Sequence, residues 1–455
     1  VSDASNAQAR TANVIVVGAG FAGLKAAVDL VAAGRSVILL EANDRVGGRV
    51  KRKEVAGRVV DMGGQWIGTG HDFLLAEAKR YGVETCAQFE TGKTVMQLLG
   101  KLTQFSGAVP RLPFLSLLEL LRLQKRWDRE MNEVPAEAPW TAPKAREWDA
   151  ITLETWILKN IHTAAAREFA RLVPRGAWGA EARQVSYLWF LDALRSSHGL
   201  TYLMEVRGGA LDGKFSGGMQ QIAQRMADSL CDRVVLNAPA RTIEQNDDGV
   251  HVVTPRGEFR ARHIIVAAPP SAAARIAFMP PLPALRDGLQ QRMPMGAIIK
   301  VVVAYKEPFW RAAGFSGQVA TDDDVIGIVM DDAQENGPPM LLAFIEGRHA
   351  IEMSTAGRDV RQKTVIDSLV RFFGPQAAYY IGYDDNDWML EPYTHGYVGS
   401  MPPGTMTRFG SALREPCGRI HWAGTECAVE WAGYIEGAVR SGARAAEEIL
   451  KQHNA

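Results

Sequence analysis

The sequence predicts a mixed α/β (α+β) fold of two interleaved domains, a Rossmann-like parallel-sheet domain and a second domain of sheet plus helices. Three observations predict it. An apolar run at 14–17 leads into Gly18, Gly20 and Gly23 and then into a helical stretch, 24–33, that stops at Gly34. A helix-rich, tryptophan-containing section follows at about 89–205. Apolar or alternating runs then appear at 234–236, 250–254, 263–267, 298–305, 325–330 and 341–345.

Taken in order, 14–17 is a short buried strand. The three glycines allow a tight turn and close backbone approach to a pyrophosphate, whose charge the helix N-terminus stabilises. Residues 36–40 form the next strand, and Glu41 at its end can accept ribose hydroxyls. A lone GxGxxG is weak evidence, but here strand, turn, helix, second strand and acid are all in place. A glycine-rich turn without ligand is the competing reading. The runs at 234–236, 250–254 and 263–267 read as a second sheet signal around the Asp247, Asp248, Gly249 turn. Those from 298 to 345 read as strands over a pocket. The nucleotide domain is expected to comprise 12–87, 216–289 and 391–453, and the covering domain 88–215 and 290–390.

Composition bounds the function. The 455 residues suffice for about two to three domains. Lys plus Arg and Asp plus Glu each number 51, so no basic excess argues for nucleic acid or an anionic membrane. Four cysteines without a CxxC fit a reducing compartment, and a cytoplasmic location is expected. Residues 1–13 carry no apolar signal core. No stretch approaches the ~18 apolar residues of a membrane span. The richest, 112–127, is broken by Glu119, Arg122, Lys125 and Arg126 and reads as a half-buried amphipathic helix.

A second block stands near the other end: Trp422, Gly424, Thr425 and Glu426, then Trp431, Gly433, Tyr434, Glu436 and Gly437. With Arg45, Gly47, Gly48 and Arg49 it supplies what a flavin ring needs, suggesting one FAD clamped by residues about 400 positions apart. With these blocks, with Asp61, Gly63, Gly64, Gln65 and Trp66, with 135–149, 185–191 and 305–311, and with Lys214, Trp388 and 423–450, the chain resembles the flavin-containing monoamine oxidase family over nearly its whole length.

The resemblance implies the two-domain FAD-dependent amine oxidase fold and a set of roles. Gly18, Gly20 and Gly23 lie under the pyrophosphate, Glu41 takes the adenosine ribose and the Val235 backbone meets the adenine. Arg49, Gly64, Gln65 and Trp66 run beside the flavin. Gly424, Thr425 and Glu426 lie near the ribityl chain and pyrophosphate, and Ile435 near the ring. The helix after Gly433 points its positive end at the ring. Lys300 matches the lysine that holds a water beside the flavin, Tyr397 and Tyr434 match two facing rings in front of it, and Trp388 packs in the lysine–flavin layer. Gly396 stands where the animal enzymes carry a flavin-linking cysteine, so a dissociable FAD is expected. The C-terminal membrane anchor of those enzymes has no counterpart before Ala455. Cys417 and Cys427 read as buried thiols.

The implied reaction oxidises an amine to an imine, hydrolysed to an aldehyde or ketone plus ammonia, with oxygen reduced to hydrogen peroxide. Positions matching the substrate cavity carry Met204, Leu211, Ile328 and Phe344, all apolar, which favours a hydrophobic primary monoamine with an aryl, alkyl or cycloalkyl group. Plain core packing competes for Met204 and Phe344. Glu205 and Arg207, if they point inward, favour instead a diamine (putrescine-type) or L-amino-acid oxidase. A non-catalytic flavin-binding protein is the alternative from another class. A homodimer is a family-level expectation.

Overall fold

The nucleotide sheet is built from three distant stretches of chain. Its five strands, all parallel, run in the order Val234–Val235, Val37–Leu40, Val14–Val17, His263–Val266 and Ile420–Trp422. The computed structural model that shows this describes residues 9–107, 111–332 and 337–452; most of the polar stretch 1–13, position 453 of the last nucleotide segment and the chain end at 455 lie outside them.

Val14–Val17 and Val37–Leu40 are buried at every position, as a sheet covered on both faces requires. Alternate side chains serve two cores. Val14, Val16, Val37 and Leu39 pack with Ala26, Leu30 and Val439 of the helices Phe21–Ala32 and Ile435–Gln452. Ile15, Val17, Ile38 and Leu40 pack on the opposite side with Val252 and Phe259. The two helices approach so closely that a Cβ on Gly442 would lie 2.1 Å from the carbonyl oxygen of Ala22.

The runs at 234–236, 250–254 and 263–267 do not share a sheet. The outer two join the nucleotide sheet, while Val250–Thr254 pairs antiparallel with Thr242–Gln245 and Gly257–Ala261 in a separate five-stranded sheet. The expectation of one second sheet is thus corrected: 263–266 pairs in parallel with Val14–Val17 instead of with its own neighbour in sequence.

A seven-stranded sheet forms the other layer, in the order Gly382–Asp387, Ile298–Ala304, Met340–Glu346, Ile328–Asp331, Phe315–Thr321, Lys93–Leu98 and Lys101–Phe105. The helix-rich section therefore opens with a hairpin, Lys93–Leu98 with Lys101–Phe105, before its helices begin. Those helices, among them Phe114–Met131, Ala164–Trp178 and Tyr187–Ser196, meet in an aromatic core. In it Trp156 stacks on Tyr187 at 4.6 Å and Trp127 meets Phe190 edge-on at 4.9 Å. Ser186 starts its helix by accepting from the Trp189 N–H.

Phe114–Met131 buries Ser116, Leu123, Trp127 and Glu130 and leaves Phe114, Leu115 and Leu121 exposed, the half-buried helix the pattern predicts. Among the described residues no helix is long and apolar enough to cross a membrane, and no cluster of side chains could hold a metal ion. All four cysteines are free; Cys427 is buried and Cys417 half-buried.

Candidate active site

A cavity of about 830 Å³ runs from the carboxyl ends of the nucleotide strands to the face of the seven-stranded sheet. At the nucleotide end Gly18 has φ +101°, with Ala267 O only 3.0 Å from where a Cβ would stand. Gly20 begins the Phe21–Ala32 helix without a side-chain cap, and Gly20, Phe21 and Ala22 face the cavity. An uncapped helix N-terminus over a glycine turn fits a pyrophosphate. Gly23 does not line the cavity; a Cβ there would fall 1.9 Å from Gly18 O, so it lets helix and strand pack.

Glu41 lines the cavity, but its carboxylate also ties the loop together, accepting from the Ala19 N–H at 2.6 Å and the Asn43 N–H at 2.9 Å. Burial raises its pKa against the pull of those amides. Val235 lies in the sheet, where its carbonyl accepts from the Glu41 N–H at 2.9 Å. The cavity wall there is Ala238, Pro239, Ala240 and Arg241 instead.

At the far end Arg49, Gly64, Gln65, Trp66, Gly424, Thr425, Tyr434 and Ile435 share the wall with Tyr397. Arg49 donates to Glu426 at 2.5 Å and to the Tyr397 carbonyl at 2.8 Å, joining segments 348 positions apart and more. Burial opposes both charges, yet each holds the other ionised: Glu426 is lowered and Arg49 raised. Glu426 itself stands behind the wall and also accepts from the Gly399 N–H. Thr425 Oγ1 donates to the Tyr434 carbonyl at 2.7 Å, which fixes the turn into the Ile435–Gln452 helix.

Lys300 is 1% exposed and sits just behind Gln65. Its ammonium donates to Gln65 Oε1 at 2.5 Å and to Gly63 O at 2.8 Å, with the Trp66 ring 5.6 Å away. Burial pushes it down to about 8, against the attraction of Asp61 and Asp332. Gln65 Nε2 donates in turn to Asp332, which also pairs with Lys214 at 2.6 Å and with Arg58. Trp388 packs behind this layer, its Nε1 donating to Met62 O at 2.8 Å and its ring, with the still closer Arg49 carbonyl, leaving no room for a side chain at Gly63.

Tyr397 and Tyr434 face one cavity, and burial pushes the Tyr397 phenol up to about 12 and raises that of Tyr434 as well. Tyr434 is braced edge-on by Trp431 at 5.4 Å and by His71 at 5.7 Å. Met204, Leu211, Ile328 and Phe344 all line the same space, Met204 while remaining 49% exposed. Glu205 and Arg207 do not line it; Arg207 pairs outward with Glu90. The strand pairing adds a residue the pattern did not single out, the carboxyl of Glu346.

Gly396 has φ +146°, and a Cβ there would fall 2.5 Å from Met295 Cβ and 2.8 Å from Gly296 O. Any side chain at this position requires the loop to shift.

A parallel nucleotide sheet opening onto a largely apolar cavity, with a buried lysine and two tyrosines at its far end, defines a dinucleotide-dependent oxidoreductase. The family model for flavin containing amine oxidoreductases matches residues 21–450. A flavin-containing amine oxidase of Danio rerio is 39% identical over 449 residues, covering 96% of this chain and 85% of that protein. Cyclohexylamine oxidase from Brevibacterium oxydans IH-35A superposes with a TM-score of 0.94 at 34% identity, over 98% of this chain and all of the other. Putrescine oxidase bound to putrescine does so with 0.93 at 33% identity, over 97% of this chain and 99% of the other. The chain belongs to the flavin-containing amine oxidase family. It is an FAD-dependent enzyme that acts on amines.

Proposed function

We propose that this enzyme oxidises hydrophobic primary monoamines bearing aryl, alkyl or cycloalkyl groups. The products are an imine, hydrolysed to an aldehyde or ketone plus ammonia, and hydrogen peroxide from oxygen. The observation that carries this is the apolar wall of Met204, Leu211, Ile328 and Phe344 in one cavity with both tyrosines. The likeness to cyclohexylamine oxidase supports it; the equal likeness to putrescine oxidase keeps a diamine as the second reading.

FAD, when bound, supplies the two-electron acceptor. Gly18, Gly20 and the uncapped helix would hold its pyrophosphate, and Arg49, Gly64, Gln65, Trp66, Gly424, Thr425 and Ile435 its flavin half. Glu41 would orient the ribose from its place on the Ala19 and Asn43 amides. Gly23, Val235, Glu426 and Trp388 act from behind the wall as packing and positioning residues. We assign cofactor binding to 12–87, 216–289 and 391–453 and the substrate to 88–215 and 290–390. The crowded Gly396 favours a dissociable FAD, and four free thiols favour the cytoplasm.

Tyr397 and Tyr434 bracket the amine, orient it and exclude water, their faces favouring positive character on nitrogen. Lys300, fixed by Gln65 and Gly63 behind the wall, would supply a donor for the reduction of oxygen once FAD is bound. Anaerobic bleaching of the yellow holoenzyme by benzylamine, cyclohexylamine, putrescine and L-phenylalanine tests the assignment. Rapid bleaching by the first two is expected. Bleaching by L-phenylalanine alone would overturn the substrate class, and bleaching by none would overturn the amine reading of this cavity.

A further inference from the structure

Glu346 is the one carboxyl on the substrate half of the cavity wall among the described residues. It ends the Met340–Glu346 strand, where it lies opposite Ile298, while Phe344 lies opposite Lys300 and Ile328. Residues two apart on a strand share a face, so Glu346 looks the same way as Phe344, about 7 Å further along. It is 2% exposed, and its Oε1 has no hydrogen-bond partner. Space for the carboxyl is kept by Gly327, where a Cβ would lie 2.4 Å from Oε2.

The charges around it do not balance. Arg175 is the buried cation nearby, but it is engaged by Glu181 at 3.2 Å and by Asp322 O at 2.7 Å. Glu181 takes a further bond from the Arg348 N–H, and the Arg348 side chain turns away to Asp323. Arg175, Glu181 and an ionised Glu346 together carry one uncompensated negative charge. The remaining group in range is the neutral Tyr397 phenol. A buried carboxylate without a donor is costly, and a cation in the cavity would remove that cost. With an apolar monoamine in place the group is neutral below about pH 8, since burial pushes it up to about 8. The cavity can therefore serve both kinds of amine.

We propose that Glu346 is a cation-recognising subsite of this cavity, receiving the second, protonated nitrogen of a substrate whose first nitrogen is oxidised. The class is α,ω-diamines and aminoalkyl amines with an apolar body between the two nitrogens. The proposal rests on the cavity being the amine site.

The test is anaerobic reduction of the holoenzyme by pentylamine and by 1,5-diaminopentane, in wild type and Glu346→Gln. In wild type the diamine should half-saturate within about tenfold of pentylamine, because the second ammonium finds a carboxylate. In Glu346→Gln the preference for diamine over monoamine should fall by about 10- to 100-fold, the worth of a hydrogen bond to a charged group. An unchanged preference, with both amines altered alike, would overturn the subsite. So would a wild type reduced by pentylamine but needing over a hundredfold more diamine, a comparison that does not depend on the variant folding. Reduction by neither amine would defeat the underlying reading of the cavity, and the subsite with it.

Discussion

Lys300 holds its ammonium in the protein interior on two neutral oxygens, Gln65 Oε1 and Gly63 O. Such a group is costly unless it is paired and hydrogen-bonded, and Asp61 and Asp332 attract it only from beyond those oxygens. Replacing it (Lys300→Met) should slow reoxidation of the reduced enzyme by oxygen about 100-fold, the typical loss for a preorganised donor. Anaerobic reduction by the amine should suffer much less. Stopped-flow measurement of the two half-reactions checks this, and equal loss in both would make Lys300 a packing residue only. The tyrosines allow a second expectation. Burial raises both phenols, Tyr397 to about 12, so neither ionises in the working range. In the proposed reaction the neutral amine is the reacting form, so kcat/KM should rise with pH as the substrate ammonium loses its proton, to a plateau above the substrate's pKa. Tyr397→Phe should lower the rate without moving that apparent pKa; a moved pKa would mean that the phenol titrates in the reaction.

The loop carrying Gly396 and the crossing at Gly442 are places where a single carbon decides the geometry. Acid precipitation of the enzyme should leave the yellow colour in solution, and Gly396→Cys should not trap it. Colour retained in the wild-type pellet would refute the dissociable cofactor. Gly442→Ala should destabilise the holoenzyme by about 1–3 kcal/mol, because its methyl meets Ala22 O at 2.1 Å and the helices must part. Chemical denaturation measures it. The same elements explain what could be read from the chain. Val14–Val17 and Val37–Leu40 were legible because strands covered on both faces are continuously apolar. Lys93–Leu98 and Lys101–Phe105 were not, since polar residues are spread through both and the second is largely exposed. The sheet joining His263–Val266 to Val14–Val17 lies beyond any local pattern, because their partnership spans about 250 positions. The placement of Glu346 is hidden from the sequence for a related reason. Its direction follows from register with Ile298, and register is a property of two strands.

Across the molecule, the cavity wall draws on residues from Val17 to Ala438, so a ligand that fills it ties the ends of the chain together. Free FAD at about 100 times its Kd should add about 2.7 kcal/mol to the stability of the stripped protein. A melting temperature that rises by several degrees on adding FAD to deflavinated enzyme is expected. No rise would mean that these segments do not converge on one cofactor. The same arrangement bears on how the protein is made. The Val14–Val17 strand is synthesised about 400 residues ahead of Ile420–Trp422 and the helix after it, which complete its sheet and cover it. At about 5–20 residues per second, that strand waits roughly 20 to 80 s for its last partners. Through that interval the face that packs against Val439 is covered only in part, by the Phe21–Ala32 helix, and the emerging polypeptide is a natural client for chaperones until the Ile435–Gln452 helix arrives.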